Sequence, residues 1–234
     1  MPKTVSSFII NLGLVAILFG LGWHLGLNVN NERLMNDEME LRAKAQFHLI
    51  LLARRWNSDY GGVYVEKRPG VLSNPYLESP DIITSEGKTY TMKIPVEMTE
   101  EISEYANREG AFRFHVTSLN PVNPANSPDN FEKKALTRIM EGEEDVVWKE
   151  ERGKHIIYRY MGALYTEGSC LKCHVEQGNG VGDLRGGISV EFNITQAEKA
   201  LHSQKVRTRL WMLACVGYLF IYFYLTYRRL RNQK

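Results

Sequence analysis

Residues 154–193 read KHIIYRYMGALYTEGSCLKCHVEQGNGVGDLRGGISVEFN. Two β-rich runs, 154–164 and 186–193, bracket a Cys-x-x-Cys-His motif at Cys170, Cys173 and His174. Three chemistries use such a motif. A structural zinc site needs four ligands, usually from two paired half-sites, and the chain has no second Cys-x-x-Cys; His155 and His202 are not spaced as a half-site. A thioredoxin-type redox pair sits at a helix N-terminus after a strand, whereas here a glycine-rich run follows. Haem attachment asks for what is present. Two thiols two residues apart reach two vinyl groups, and the adjoining histidine becomes an axial ligand of the iron. A random occurrence is expected only on the order of 10⁻³ times in a chain with so few cysteines and histidines. The residues therefore favour one covalently attached haem c, with Cys170 and Cys173 as thioether donors and His174 as the proximal ligand.

Outward from the motif, further β-rich runs occupy 88–94, 112–118 and 146–151, and YGGVYV starts another after Gly61 and Gly62. Residues 95–110 fit a short helix stopped by Gly110. The segment NPVNPANSPDNF is a connector, because Pro fixes φ while Asn and Asp form local backbone hydrogen bonds. It runs into a helix with capping-box spacing at Asp129 and Glu132 and an apolar face of Phe131, Ala135, Leu136 and Ile139. Residues 31–58 read as a helix, with Leu34, Leu41, Ala45, His48, Leu52 and Trp56 on one face. Helices and about six short strands in mixed order predict one α+β domain with an antiparallel sheet.

Both ends of the chain differ in character. Residues 8–27 and 210–227 carry no formal charge, and about twenty helical residues span the roughly 30 Å hydrocarbon layer of a bilayer. The first lacks a small-residue cleavage site, which argues for an anchor rather than a signal peptide. The tails hold Lys3, Arg228, Arg229, Arg231 and Lys234 and no acid, which favours the cytoplasm for both tails. The expected organisation is a transmembrane helix at 8–28, an extracytoplasmic haem domain at 29–208, a second span at 209–227 and a basic cytoplasmic tail at 228–234. Of three cysteines, Cys215 lies inside the second span, so a disulfide network is excluded. No basic patch interleaved with aromatics points to nucleic acid.

The second axial position is open or water-bound, or is filled by one of three candidate side chains. His115 shares a strand face with Arg113 and Thr117, His48 lies on the first helix, and Met161 stands on the strand before the motif. His24 and His202 belong to the membrane-proximal segments. Arg113, Arg159 and Arg185 are candidates to pair with haem propionates, since a guanidinium meets a carboxylate through two parallel hydrogen bonds. The glycines at 178, 180, 182, 186 and 187 would let the backbone approach a flat cofactor closely.

The stretches RRWNSDYGGVYV (54–65), SNPYLESP (73–80), HVTSLNPVNPANSPDNFE (115–132), YRYMGAL (158–164) and SCLKCHVEQGNGVGDLRGGISVEF (169–192) resemble a bacterial family of single-haem, c-type, PAS-like domains. Members of that family occur alone or as the extracytoplasmic input of histidine kinases and chemoreceptors. The resemblance covers about residues 30–195. It implies a PAS-like antiparallel sheet with flanking helices around one c-type haem, and a role in sensing redox state or a small gaseous ligand. The alternative is a membrane-anchored single-haem electron carrier of a respiratory chain. An enzyme is not expected, because no acid–base set accompanies the motif. The expected location is a bacterial inner membrane, with the haem domain facing the periplasm or cell exterior. The expected partners are the membrane, a signalling or redox protein and, as a further candidate, a second copy of the chain.

Overall fold

A computed structural model describes residues 3–110, 112–168 and 180–232. Cys170, Cys173, His174 and Gly178 lie outside the described residues. In chain order the elements are α1 (Lys3–Asp59), β1 (Val63–Glu66), β2 (Asp81–Ile83), β3 (Thr89–Lys93), α2 (Pro95–Arg108), β4 (Arg113–Thr117), a 3-10 turn (Pro124–Asn126), α3 (Asn130–Met140), β5 (Asp145–Arg152), β6 (His155–Tyr165), β7 (Leu184–Asn193) and α4 (Thr195–Asn232). They divide into two compact units. Residues 39–194 form one, and residues 1–38 with 195–234 form the other.

The second unit consists of helical segments from the two ends of the chain. Within α1 and α4 lie stretches long and apolar enough to cross a membrane, with mean hydropathies of 1.7 and 1.6. Phe19, Trp211 and Phe220 are each about 70 % exposed along them, an arrangement that costs free energy in water and none in hydrocarbon. The two helices meet where a Cβ on Gly13 would stand 3.1 Å from the Phe223 ring, and Lys205 pairs with Glu32. His24 is buried and hydrogen-bonded to Asn28 at 3.0 Å.

The unit at 39–194 is α+β. Its larger sheet is antiparallel, in the order β4-β7-β6-β5, and a smaller antiparallel sheet runs β1-β3-β2. Alternation of side chains gives the larger sheet two different faces. One face packs against α1, where Phe47 meets Tyr160 edge-on at 5.7 Å and lies over Gly162. The other packs against α3, where Phe131, Ala135, Leu136 and Ile139 close over Val146 and Met161. The expected capping box is present, with Glu132 N–H donating to Asp129 and Asp129 N–H donating to Glu132.

One expectation is corrected. The face of α1 predicted from Leu34, Leu41, Leu52 and Trp56 is more than half exposed. The buried side is instead Met39, Ala43, Phe47, Ile50 and Asn57. Apolar residues recur at helical spacing on both sides of this helix, and the side that met the sheet became the core. Gly186 and Gly187 belong to β7, within the β-rich run expected at 186–193. A Cβ on Gly186 would fall on the carbonyl oxygen of Thr117 in β4, and one on Gly187 would stand 2.8 Å from the Met161 sulfur. These glycines set the strand separation. Gly186→Ala is accordingly expected to destabilise the domain by about 1–3 kcal/mol through overpacking, measured as a lower denaturant midpoint with an unchanged slope. A neutral result would mean that β4 and β7 do not approach this closely.

Candidate functional site

The motif occupies the connection between β6 and β7, and the base of that connection is firmly built. The strand ladder ends at Tyr165 and Leu184, with an irregularity between Leu164 and Tyr165. Beyond it, Thr166 N–H donates to Asp183 O and Gly182 N–H donates to Thr166 O, both at 2.9 Å. Gly180 N–H donates to the Asp183 carboxylate at 2.7 Å. Gly182 takes φ +92°, a conformation open to glycine without strain. Arg55 of α1 reaches across to Glu167 at 2.6 Å. The two ends of the motif-bearing segment are thus held at a fixed separation.

A cavity of about 340 Å³ opens beside this base. Leu164, Arg185 and Gly186 form its stem wall, Arg54 enters from α1, and Ile94, Val96 and Glu100 enter from the start of α2. Val116 and Thr117 of β4 line a third side, while Asn74, Tyr76 and Asn123 lie on loops. Local structure fixes these groups. Asn74 accepts from Tyr76 N–H at 2.8 Å and donates to Glu97 at 2.9 Å. Arg54 donates to Pro95 O and Thr99 Oγ1, and Ser118 Oγ donates to Arg185 O. Burial pushes the Glu100 carboxyl above its ordinary range, and one of its oxygens is buried with no hydrogen-bond partner among the described residues.

A second polar cluster lies between the large sheet and α3. Glu132 is 2 % exposed and receives His115 Nδ1 at 3.0 Å and the Ser189 hydroxyl. Arg159 is 4 % exposed and bonds Asp129 at 2.7 Å, with Glu132 at 3.4 Å and its guanidinium over the Phe131 ring. Burial raises the Glu132 carboxyl, but the hydrogen bonds from His115, Ser189 and the Asp129 backbone win and hold it below its ordinary range. The hydrogen bond to Glu132 raises His115 against its burial.

The candidate ligands are placed as follows. His115 bonds Glu132 through Nδ1 and the Ala125 carbonyl through Nε2, so both ring nitrogens are engaged. His48 is exposed on α1 beside the Phe47 ring. Met161 is fully buried under α3. Of the three candidate propionate partners only Arg185 lines the stem cavity; Arg113 and Arg159 line the cluster below α3. Among the described residues, the wall of the stem cavity contains no histidine or methionine.

A family model for Tll0287-like proteins matches residues 29–193, more than two thirds of the chain. The chain belongs to the Tll0287-like family. A solved structure, titled the crystal structure of the cyanobacterial heme-protein Tll0287, aligns at a TM-score of 0.42 and 16% identity, covering 67% of this chain and 95% of that one. No curated protein matches. The Tll0287-like region covers the compact α+β unit from Met39 to Ile194 except its last residue, and includes the stem cavity, the cluster below α3 and the Cys-x-x-Cys-His motif. Arg54, Tyr76 and Glu100 are site residues in this Tll0287-like domain that residue-type reasoning missed. The first two stand inside the stretches RRWNSDYGGVYV and SNPYLESP, which was the available signal; Glu100 had none.

Proposed function

We propose that the chain carries one haem, joined through thioether bonds to Cys170 and Cys173 with His174 as an axial ligand, and that it senses redox state or a small gaseous ligand at the iron. The observation that carries this reading is a convergence. The stretches beginning at Arg54, Ser73, His115 and Tyr158, and the segment 169–192 that bears the motif, all contribute to the wall of one cavity at the motif's base. The description of the family's namesake as a heme protein supports the same cofactor.

The residues present fit the group. The cavity volume of about 340 Å³ lies at the low end of the range for small-molecule sites. Leu77, Ile94, Val96, Val116, Val122 and Leu164 supply apolar contact, and Arg54 and Arg185 supply cations suited to carboxylates. Bound haem would supply a redox-active iron able to take a diatomic ligand. The chain's own part is to hold the segment ends, exclude water with the apolar wall and offer hydrogen-bond donors from Arg54 and Asn123.

Topology supports sensing. Arg54 lines the cavity and Arg55 grips the stem through Glu167, and both belong to α1, the helix that also carries the first apolar stretch. In this reading the domain is PAS-like and extracytoplasmic, α1 and α4 anchor it in a bacterial inner membrane, and a membrane or cytoplasmic partner receives the signal.

The test is the absorption spectrum of the purified, reduced chain with and without CO. The expected result is a five-coordinate ferrous form whose main band shifts on CO addition. A six-coordinate low-spin spectrum in both oxidation states, unmoved by CO or NO, would overturn the sensing of gases and leave the electron-carrier alternative.

A further inference from the structure

Much of what α4 exposes needs no protein partner in a membrane. Leu213, Phe220 and Ile221 are exposed along its apolar stretch, and lipid tails solvate such side chains as well as another helix does. One side of α4 is already occupied. Phe223 meets Gly13 of α1, and Met212, Val216 and Leu219 are half-buried at matching helical spacing. A different side carries Trp211, Cys215, Tyr218, Tyr222 and Leu225, spaced by four, three, four and three. All five are exposed, and the Tyr218 and Tyr222 rings stack with centroids 6.5 Å apart.

Depth sets this side apart. Tyr218 stands nine residues after Arg209 and ten before Arg228, which at a rise of 1.5 Å per residue is about 14 Å from either basic edge. That is the middle of a hydrocarbon layer roughly 30 Å thick. Tyr218 is 69 % exposed, and its hydroxyl makes no hydrogen bond among the described residues. Thr226 meets the same need by donating its Oγ1 to Tyr222 O one turn back, a route closed to a phenol whose hydroxyl lies far beyond its own backbone. Tyr224 and Tyr227 lie near Arg228, where aromatic rings sit at the headgroup level. Tyr218 is too deep for that, and a hydroxyl left bare in hydrocarbon is costly.

What this side lacks, a second copy of it supplies. A phenol hydroxyl both donates and accepts, so two Tyr218 side chains satisfy each other. The spacing of four and three is that of a left-handed helix pair, in which these positions interlock with those of a like helix. No formal charge interrupts the stripe from Trp211 to Leu225. Copies inserted with the same topology carry Tyr218 at the same depth, so a parallel two-fold pairing brings like residues face to face.

We infer that α4 pairs within the membrane with α4 of a second copy of this chain, through the side bearing Cys215, Tyr218 and Tyr222. The inference rests on the reading of α4 as a membrane anchor, and is independent of the haem.

The experiment is oxidative cross-linking of the full-length chain in membranes of the expressing cells, with copper phenanthroline as the oxidant. Cys215 already stands on the pairing side, so no cysteine has to be introduced. A disulfide-linked species of twice the chain mass is expected on a non-reducing gel, and Cys215→Ser should remove it. Adding Leu225→Cys to Cys215→Ser should restore the dimer, whereas adding Leu213→Cys, on the opposite side of the helix, should not. Tyr218→Phe keeps the ring and should weaken pairing about threefold to twentyfold, the weight of one interhelical hydrogen bond in a membrane, read by diluting dye-labelled chain in lipid vesicles. Tyr224→Phe should leave it unchanged. A membrane-embedded chain without a Cys215-dependent dimer, a Cys215 adduct to a different protein, or unchanged pairing in Tyr218→Phe would each overturn the inference and leave the anchor standing. Release of the chain from the membranes by alkaline carbonate would overturn the anchor and the inference together.

Discussion

Glu132→Ala is expected to destabilise the folded domain by about 3–5 kcal/mol, because it removes one member of a buried ionic cluster and strands the others. Glu132 is 2 % exposed and serves four groups at once: the His115 ring, the Ser189 hydroxyl, the Asp129 backbone N–H and the Arg159 guanidinium. Its loss removes half of the capping box and leaves buried donors unmatched. Against a typical domain stability of about 5–15 kcal/mol, that is a large share. Chemical denaturation of the variant and the parent measures it. A loss under about 1 kcal/mol, the value of an exposed pair, would mean that water reaches this cluster freely.

The same cluster sets a pH signature. Glu132 is held below the ordinary glutamate value of 4.5, so its contribution is present above that pH and is lost as pH falls through the depressed value. His115 is raised above the ordinary histidine value of 6.5, so its contribution is complete below that pH and is lost as pH rises through the raised value. The unfolding temperature should therefore peak between about pH 5 and 6. His115→Gln should flatten the alkaline decline and leave the acid decline in place.

Replacing both Cys170 and Cys173 by alanine is expected to abolish covalent haem altogether, read as loss of haem stain on a denaturing gel. The thioether bonds have no other thiol to use, since Cys215 lies in the apolar stretch of α4. His174→Ala should keep part of the covalent haem and shift its spectrum, which separates attachment from ligation. The haem-free chain should also be more open to protease, because the stem cavity then loses the contacts of its occupant to Leu164, Val116 and Val96. Haem stain persisting in the double variant would refute attachment through these two thiols.

Much of the domain was legible wherever local chemistry decides the outcome. Asp129 and Glu132 announce a helix start because both hydrogen bonds of a capping box are made within four residues. The alternation of Arg113, His115 and Thr117 with Phe114 and Val116 announces a two-faced strand, and β4 is one. The split into two sheets was not legible, since β2 has only three residues and its pairing with β3 depends on a turn far from the larger sheet. The buried side of α1 was misread for a related reason. Leu41 and Leu52 stand at a helical spacing just as Phe47 and Ile50 do, and only contact with Tyr160 and Gly162 chooses between the two sides.

The candidate site shows its Cys-x-x-Cys-His motif in the sequence and hides its walls. Five residues narrow the chemistry to haem, zinc or a redox pair. The cavity beside it joins Arg54, Tyr76, Glu100, Val116 and Arg185, which are far apart in the chain and ordinary one at a time. His115 looked available on its strand face, but its partner Glu132 stands seventeen positions on, in another element.

The most direct test of the central claim is the intact mass of the full-length chain, purified under denaturing conditions from cells able to attach c-type haem. The account predicts the polypeptide mass plus one haem, with the addition mapping to the peptide containing Cys170 and Cys173. The unmodified polypeptide mass, from cells that attach haem to a control c-type cytochrome, would contradict it.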